Sequence, residues 1–88
     1  MGKKYMGKVA ELGCSLCQVI GYGPTPAEVH HLREGVGMAQ RNSDFLTIPL
    51  CPEHHRGASG VHGDRSALKN ARQDEMSLLA WTIEALNG

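Results

Sequence analysis

The first apolar positions of the chain follow a helical period. Four side chains carry this pattern: Tyr5, Met6, Val9 and Leu12. Their spacing puts several of them on one face of a helix. Gly13 follows directly, and glycine is common where a helix ends. The pattern therefore predicts an N-terminal helix over residues 3–12.

Two short stretches near the middle of the chain are predicted as strands. In residues 27–32, Val29 and His31 share one face and His30 lies on the other, because side chains alternate along a strand. Residues 45–50 are mostly apolar and run directly into Cys51. The segment between the two strands contains glycines and predicts a loop.

Helices are predicted for the rest of the chain. Pro52 suits the first turn of a short helix, and Asp64 or Ser66 is expected to cap a second one that ends near Ala71. Residues 73–86 predict a longer helix. Its expected packing surface is a stripe at helical spacing, with Leu78 and Trp81 beside it: Met76, Leu79, Ile83 and Leu86.

Length and charge limit what the chain can be. Its 88 residues predict a single domain over residues 1–88, and so small a core usually needs a metal or disulfides as a supplement. Three cysteines cannot all pair, no apolar segment follows Met1, and no apolar run approaches the ~20 residues of a membrane span. We therefore expect a reduced, cytoplasmic protein whose cysteines bind metal. The net charge of zero argues against tight independent binding of nucleic acid.

All three cysteines and all five histidines fall into three short segments, at positions 14–17, 30–31 and 51–62. The C-x-x-C at 14–17 predicts a zinc knuckle, because one tight turn can aim both sulfurs at a tetrahedral ion. The βαβ surroundings of a redox pair are missing. Cys51 and His54 are three positions apart and can complete this site, with His55 as the alternative fourth ligand. On a helix His55 is rotated ~100° from His54 and can face a second site.

The order of these pieces resembles the HNH endonucleases, also called the ββα-metal group. More narrowly, residues 12–63 resemble the nuclease domain of the Ref family, phage recombination-enhancement nucleases that act with RecA filaments. The likeness is carried by Leu-Gly-Cys-x-x-Cys at 12–17, Gly-Tyr-Gly at 21–23, Thr-Pro-Ala-Glu-Val-His-His at 25–31, Gly-Met-Ala-Gln-Arg at 37–41 and Ile-Pro-Leu-Cys-Pro-Glu-His-His-Arg at 48–56.

This resemblance implies a fold and a set of roles. The fold would be α+β, a small zinc-stapled ββα-metal (HNH) domain with an N-terminal helix and C-terminal helices. His31 matches the general base that takes a proton from the attacking water. His30, His55 and His62 match ligands of a catalytic metal, with His30 and His55 among the catalytic residues. The structural zinc would be held by Cys14, Cys17, Cys51 and His54.

One position departs from the family pattern. HNH proteins usually have Asn-Leu shortly before the second knuckle, where the Asn braces the loop; here Leu46 follows Phe45. We expect Asp44 or Asn42 to take the bracing role, without being catalytic. The arginines expected to contact DNA are Arg33, Arg41 and Arg56, with Arg65 as a further candidate.

Together these features predict a metal-dependent endonuclease that hydrolyses DNA phosphodiester bonds, aided by a recombinase filament or another partner. Imidazole supplies a base near neutral pH, and a divalent cation offsets the charge on the phosphate. Nitrogen ligands favour Zn, Ni, Co or Mn, whereas cellular abundance favours Mg, so the ion stays open. The alternative is an inactive zinc-binding adaptor for nucleic acid or protein; a metal buffer or sensor is a third possibility.

Overall fold

The computed structural model describes residues 2–33 and 43–88 and has a small α+β architecture. In chain order the elements are α1 (Gly2–Glu11), α2 (Ser15–Val19), β1 (Glu28–His31), β2 (Thr47–Leu50), α3 (Pro52–Arg56), α4 (Ser66–Asn70) and α5 (Glu75–Asn87). The predicted α+β class is confirmed, and the predicted helices and strands occur in the predicted order; α2 is an additional helix in the segment predicted only as a zinc knuckle. The glycine predicted to end the first helix, Gly13, adopts a left-handed φ of 81°.

The two strands form an antiparallel sheet. Glu28 pairs with Leu50 at one end, and His31 pairs with Thr47 at the other. Cys51 directly follows β2 in an extended conformation and caps α3, whose first residue is Pro52. Because proline at the first helical position has the φ that a helix requires, the chain turns from strand to helix without a connecting loop. Helix α3 contacts both strands.

The core lies between the sheet, α2 and α5. Its fully buried side chains include Leu16, Ile48, Leu50 and Leu78, and two cysteines, Cys14 and Cys17, belong to the same cluster. The core thus contains two buried thiols that could bind a metal, and metal binding of this kind contributes to folding.

The face that α5 buries differs from the predicted stripe. The buried residues are Glu75, Leu78, Leu79 and Thr82, whereas the exposed fractions of Met76 and Ile83 are 55% and 44%. The buried face is thus rotated toward Glu75 and Thr82, whose polar groups find partners inside the protein. Thr82 donates its hydroxyl to the carbonyl of Leu78, at 2.7 Å.

Local capping interactions fix the starts of the two C-terminal helices. The Asp74 carboxylate accepts a hydrogen bond from the amide of Ser77, and the Ser77 hydroxyl accepts one from the amide of Asp74. This capping box holds the first turn of α5 rigidly. At α4 the carboxylate of Asp64 accepts from the amide of Ser66, so Asp64, one of the two predicted caps, supplies the hydrogen bond. Within the described residues, no helix is long and apolar enough to cross a membrane.

Candidate metal and active site

Three thiols and one imidazole meet at the junction of α2, β2 and α3. Their ligand atoms, those of Cys14, Cys17, Cys51 and His54, all lie within 4.8 Å of one another. Cys14 precedes α2 and its sulfur accepts from the amide of Cys17, which aims both thiols the same way. The four side chains predicted to share one ion are therefore together, and His54 rather than His55 is the fourth member.

The distances within this cluster fit a tetrahedral ion. The Cys17 and Cys51 sulfurs are 3.9 Å apart, and Nδ1 of His54 is 3.6 Å from each of the Cys14 and Cys17 sulfurs. A tetrahedral ion at ~2.3 Å from sulfur and ~2.1 Å from nitrogen has S–S edges of ~3.8 Å and S–N edges of ~3.6 Å. These four residues could hold a metal of that size.

Burial disfavours the charged form of the Cys14 thiol. Desolvation raises the pKa of Cys14, although hydrogen bonds from the backbone at Cys17 and Cys51 act in the opposite direction. A bound cation reverses this preference, since a coordinating thiol is deprotonated. The cluster therefore has the donor atoms that a metal requires, and a bound cation would stabilise their thiolate form.

A second cluster consists of imidazoles alone. One nitrogen each from His30, His55 and His62 lies within 4.8 Å of the other two. The ring centroids are 5.1 Å apart for His30 and His55, 5.0 Å for His30 and His62, and 4.8 Å for His55 and His62. The three rings thus surround one point at nearly equal separations. Such a set could bind a divalent ion and leave coordination positions open for other ligands.

Two of these imidazoles are held by carboxylates. Nε2 of His30 is 2.6 Å from Glu75, and Nδ1 of His55 is 2.8 Å from Glu28. In each ring the nitrogen bound to the carboxylate carries the proton, so the other nitrogen keeps its lone pair. Carboxylate–histidine pairs of this kind orient the metal-binding histidines of many proteins.

The surroundings of His30 and His62 favour the neutral form of these two imidazoles. Burial lowers the pKa of His30, an effect partly opposed by Glu75. Burial also lowers the pKa of His62, with the positive charges of His55, Arg33 and Arg65 adding to it. Metal coordination requires the neutral imidazole, and these shifts favour that form at neutral pH.

The turn after α3 brings His62 back to the cluster. The amide of Val61 donates to the carbonyl of His54, and the amide of His62 donates to that of His55. A Cβ on Gly60 would lie 2.5 Å from the His54 carbonyl oxygen, so only glycine allows this close approach. The segment at residues 57–60 therefore folds against α3, and His62 lies beside His55.

The predicted general base, His31, lies on the other face of β1. Its Nε2 is 2.8 Å from Oδ1 of Asp44, one of the two residues expected to brace the loop. The Asp44 carboxylate packs against the start of α1, where a Cβ on Gly2 would lie 2.2 Å from its other oxygen. The next residue, Phe45, stacks at 4.8 Å on Tyr5 of the same helix. Helix α1 thus fixes the carboxylate that orients His31.

The predicted substrate-binding arginines differ in their surroundings. Arg56 is 65% exposed and forms an ion pair with Glu28, the partner of His55. Arg33 is exposed and its charge acts on His62, as does that of Arg65. Arg41 and Asn42 lie outside the described residues.

Comparison with known proteins identifies the family. The family described as "Recombination enhancement, RecA-dependent nuclease" matches residues 1–87 of the chain. The chain belongs to this family. The predicted resemblance to the Ref nucleases is thereby confirmed over almost the whole sequence of this member. Neither the curated proteins nor the solved structures contain a match.

Sequence reasoning did not identify the two carboxylates that hold the histidines of this RecA-dependent nuclease family member. Neither Glu28 nor Glu75 is among the site residues predicted from the sequence. One signal for Glu75 existed: it begins an i, i+3, i+4, i+7 series with Leu78, Leu79 and Thr82. An acidic residue on the apolar face of a helix is rarely buried without a partner.

The thiol cluster yields a first prediction about stability. Cys17→Ser should lose the bound metal and unfold at ordinary temperature, because Cys17 is buried and its sulfur contacts both Cys51 and His54. Structural zinc contributes ~10–16 kcal/mol of binding free energy in small metal-dependent domains. Metal analysis and thermal melting test this. Treatment of the wild type with a chelator is the control and should reproduce the loss; a cooperative melt with metal still bound to the variant would contradict it.

The imidazole cluster yields a second prediction. His55→Ala and His62→Ala should each weaken binding of an added divalent ion by at least ~10-fold, because each removes one of three ligands. The metal held by the thiol cluster should stay bound, since neither side chain belongs to it. Calorimetric titration of the zinc-loaded protein with Co²⁺ measures both. Unchanged affinity in both variants would show that the three rings do not form a metal site.

Proposed function

We propose that this protein is a metal-dependent HNH endonuclease that hydrolyses DNA phosphodiester bonds, with residues 1–88 forming one nuclease domain. One observation carries the proposal: three imidazoles converge beside the strand that also presents His31. The nuclease family supports the reaction class. The sequence β1, β2, α3, with ligands at the strand and at the helix, supports the ββα-metal assignment.

The thiol cluster would serve as a zinc site that stabilises the fold. A Cys₃His set is typical of closed structural zinc sites, in which all four positions are filled by protein. The observed S–S and S–N separations agree with such an ion. A site of this kind has no open position for a substrate, so catalysis is assigned to the imidazole cluster.

His31 would act as the general base. It would take a proton from a water molecule whose oxygen attacks the phosphorus, while the bond from phosphorus to the 3′ oxygen breaks. The departing 3′ oxygen would take up a proton from a solvent water. The products are a 5′-phosphate and a 3′-hydroxyl. Asp44 accepts a hydrogen bond from Nε2 of His31, which leaves the lone pair of Nδ1 for the water proton. Asp44 therefore orients the base and stabilises the imidazolium that forms.

His30, His55 and His62 would hold the catalytic ion, which when bound offsets the negative charge that builds on the phosphate and on the departing oxygen. Glu75 and Glu28 keep the first two rings in position. Arg33 and Arg65, whose charges reach His62, would attract the phosphate to the cluster. Arg56 would contribute at its rim, where Glu28 already holds its guanidinium.

A partner would supply the affinity for DNA that this chain lacks. Its nine basic residues are balanced by nine acidic ones, so no strong positive field attracts a polyanion. The family description names RecA dependence. We therefore propose that a RecA-type recombinase filament on DNA presents the substrate.

The assignment of the base is tested by His31→Ala. The variant should lose nicking activity by ~10²–10⁴-fold, the usual effect of removing a general base. Its melting temperature and metal content should stay close to wild type, because His31 belongs to neither metal cluster. Plasmid nicking, thermal melting and metal analysis measure these. A rate within ~5-fold of wild type, far less than the loss of a base, would remove His31 from the role.

The need for a partner is tested by the salt dependence of cleavage. Contacts to about three or four phosphates give a slope of log affinity against log salt of only about −3. Isolated protein should therefore nick naked DNA weakly, and DNA coated with a recombinase filament should be cut much faster. Cleavage rates across a salt series, with and without the filament, decide this. A slope steeper than about −6, with full activity on naked duplex, would contradict the proposal.

A further inference from the structure

Helix α5 begins with a fully buried carboxylate. The side chain of Glu75 has an exposed fraction of 0%, and it lies on the face that α5 packs against the core. Burying an ionised carboxylate is costly unless hydrogen bonds and opposite charge compensate for the lost water. A leucine or methionine at this position would pack without that cost. Apolar packing alone therefore does not account for a carboxylate at this position.

The contacts of Glu75 converge on the strand that carries His30. Oε2 lies 2.6 Å from Nε2 of His30, and both carboxylate oxygens lie 3.2 Å from the amide of Arg33. The guanidinium of Arg65 is 4.0 Å away. The amide of Arg33 lies just beyond the end of β1, so a carboxylate that accepts from it is fixed relative to that strand. The capping box between Asp74 and Ser77 fixes it from the side of the helix.

This geometry determines which ring nitrogen of His30 carries the proton. An ionised carboxylate can only accept hydrogen bonds, so Nε2 of His30 carries the proton. A neutral imidazole has a single N–H, which leaves the lone pair on Nδ1. His30 itself is only 2% exposed, so its ring is largely shielded from bulk water.

We propose that Glu75 is a positioning residue for the catalytic metal site. It holds His30 in the Nε2–H tautomer with Nδ1 available to the ion. The affinity of the imidazole cluster for a divalent ion therefore depends on the position of the first turn of α5. The inference rests on the proposed function, since it needs the three imidazoles to bind an ion. Loss of such an outer carboxylate typically costs 10–100-fold in metal affinity.

A purely structural role makes a different prediction. If Glu75 only stabilises the core, a substitution lowers the melting temperature and leaves the affinity of the folded protein for a second ion unchanged. If it positions His30, the affinity and the tautomer change even where the fold and the thiol-bound metal are retained. Metal affinity and imidazole nitrogen shifts therefore separate the two roles, and neither requires nuclease activity.

The experiment uses the full chain with zinc bound by the cysteines. Glu75→Gln keeps the size of the side chain but replaces the charge with an amide, and Glu84→Gln removes an exposed carboxylate from the same helix as the matched control. Calorimetric titration with Co²⁺ should show affinity lowered by ~10–100-fold in Glu75→Gln and unchanged in Glu84→Gln. Absorption bands of thiolate-bound cobalt would reveal any exchange at the cysteines.

A second measurement reads the tautomer directly. Long-range ¹H–¹⁵N spectra of the wild type without added Co²⁺ should show His30 protonated at Nε2. Glu75→Gln should weaken this preference, because its amide oxygen accepts a hydrogen bond less strongly than a carboxylate and its amide nitrogen cannot accept from the amide of Arg33. Wild-type affinity in Glu75→Gln, or a wild-type His30 protonated at Nδ1, would overturn the inference. Should Glu75→Gln fail to fold, Glu75→Asp takes its place: its shorter carboxylate retracts from His30, and undiminished affinity there would overturn the inference equally.

The wild-type titration separates this inference from the proposed function. If the wild type binds no Co²⁺ outside the cysteine cluster, the imidazole site itself is wrong, and the role of Glu75 is overturned with it. If the wild type binds and Glu75→Gln binds equally well, only the positioning role is lost.

Discussion

The meeting of three thiols and one imidazole is the interaction that joins α2 to the end of β2 and the start of α3. Cys17 and Cys51 are 34 positions apart in the chain, and both strands lie between them. An ion that joins them fixes α2 against the end of β2 and removes much of the freedom of the intervening segment. The core around the cluster is small, and a chain of 88 residues buries only a modest fraction of its apolar surface. A bound metal would therefore supply order that the apolar side chains alone do not provide.

Helix α3 connects the thiol cluster to the imidazole cluster. His54 and His55 are neighbours on one short helix and point ~100° apart, so one belongs to the thiols and the other to the imidazoles. A helix of five residues has little stability of its own. Its orientation must come from His54 in the thiol cluster, from contacts with both strands and from the turn that brings His62 back to the imidazole cluster. The two candidate metal sites are therefore mechanically linked, and a change in the first should be felt at the second.

The sequence predicts which residues form the two candidate metal clusters, but it does not predict the carboxylates that hold the histidines. Grouping Cys14 with Cys17, and Cys51 with His54, needs only local spacing, because one turn or one helical step brings each pair together. Glu75 lies 45 positions from His30 and Glu28 lies 27 from His55, and no local pattern joins residues that far apart. The buried face of α5 was misjudged for a related reason. A stripe of apolar residues through Met76 and Ile83 looks like the better core, yet the helix is rotated so that Glu75 reaches His30.

If the imidazole cluster binds a catalytic ion as proposed, that rotation sets stability against function within this fold. Turning α5 toward Met76 and Ile83 would bury more apolar surface, at roughly 25 cal/mol for each Å² removed from water. The observed helix instead leaves both exposed and buries a carboxylate and a hydroxyl. In a fold stabilised by apolar burial alone, this choice would endanger the native state. Where an ion closes the thiol cluster, the core need not be optimal, and α5 can be oriented to hold His30 rather than to maximise burial.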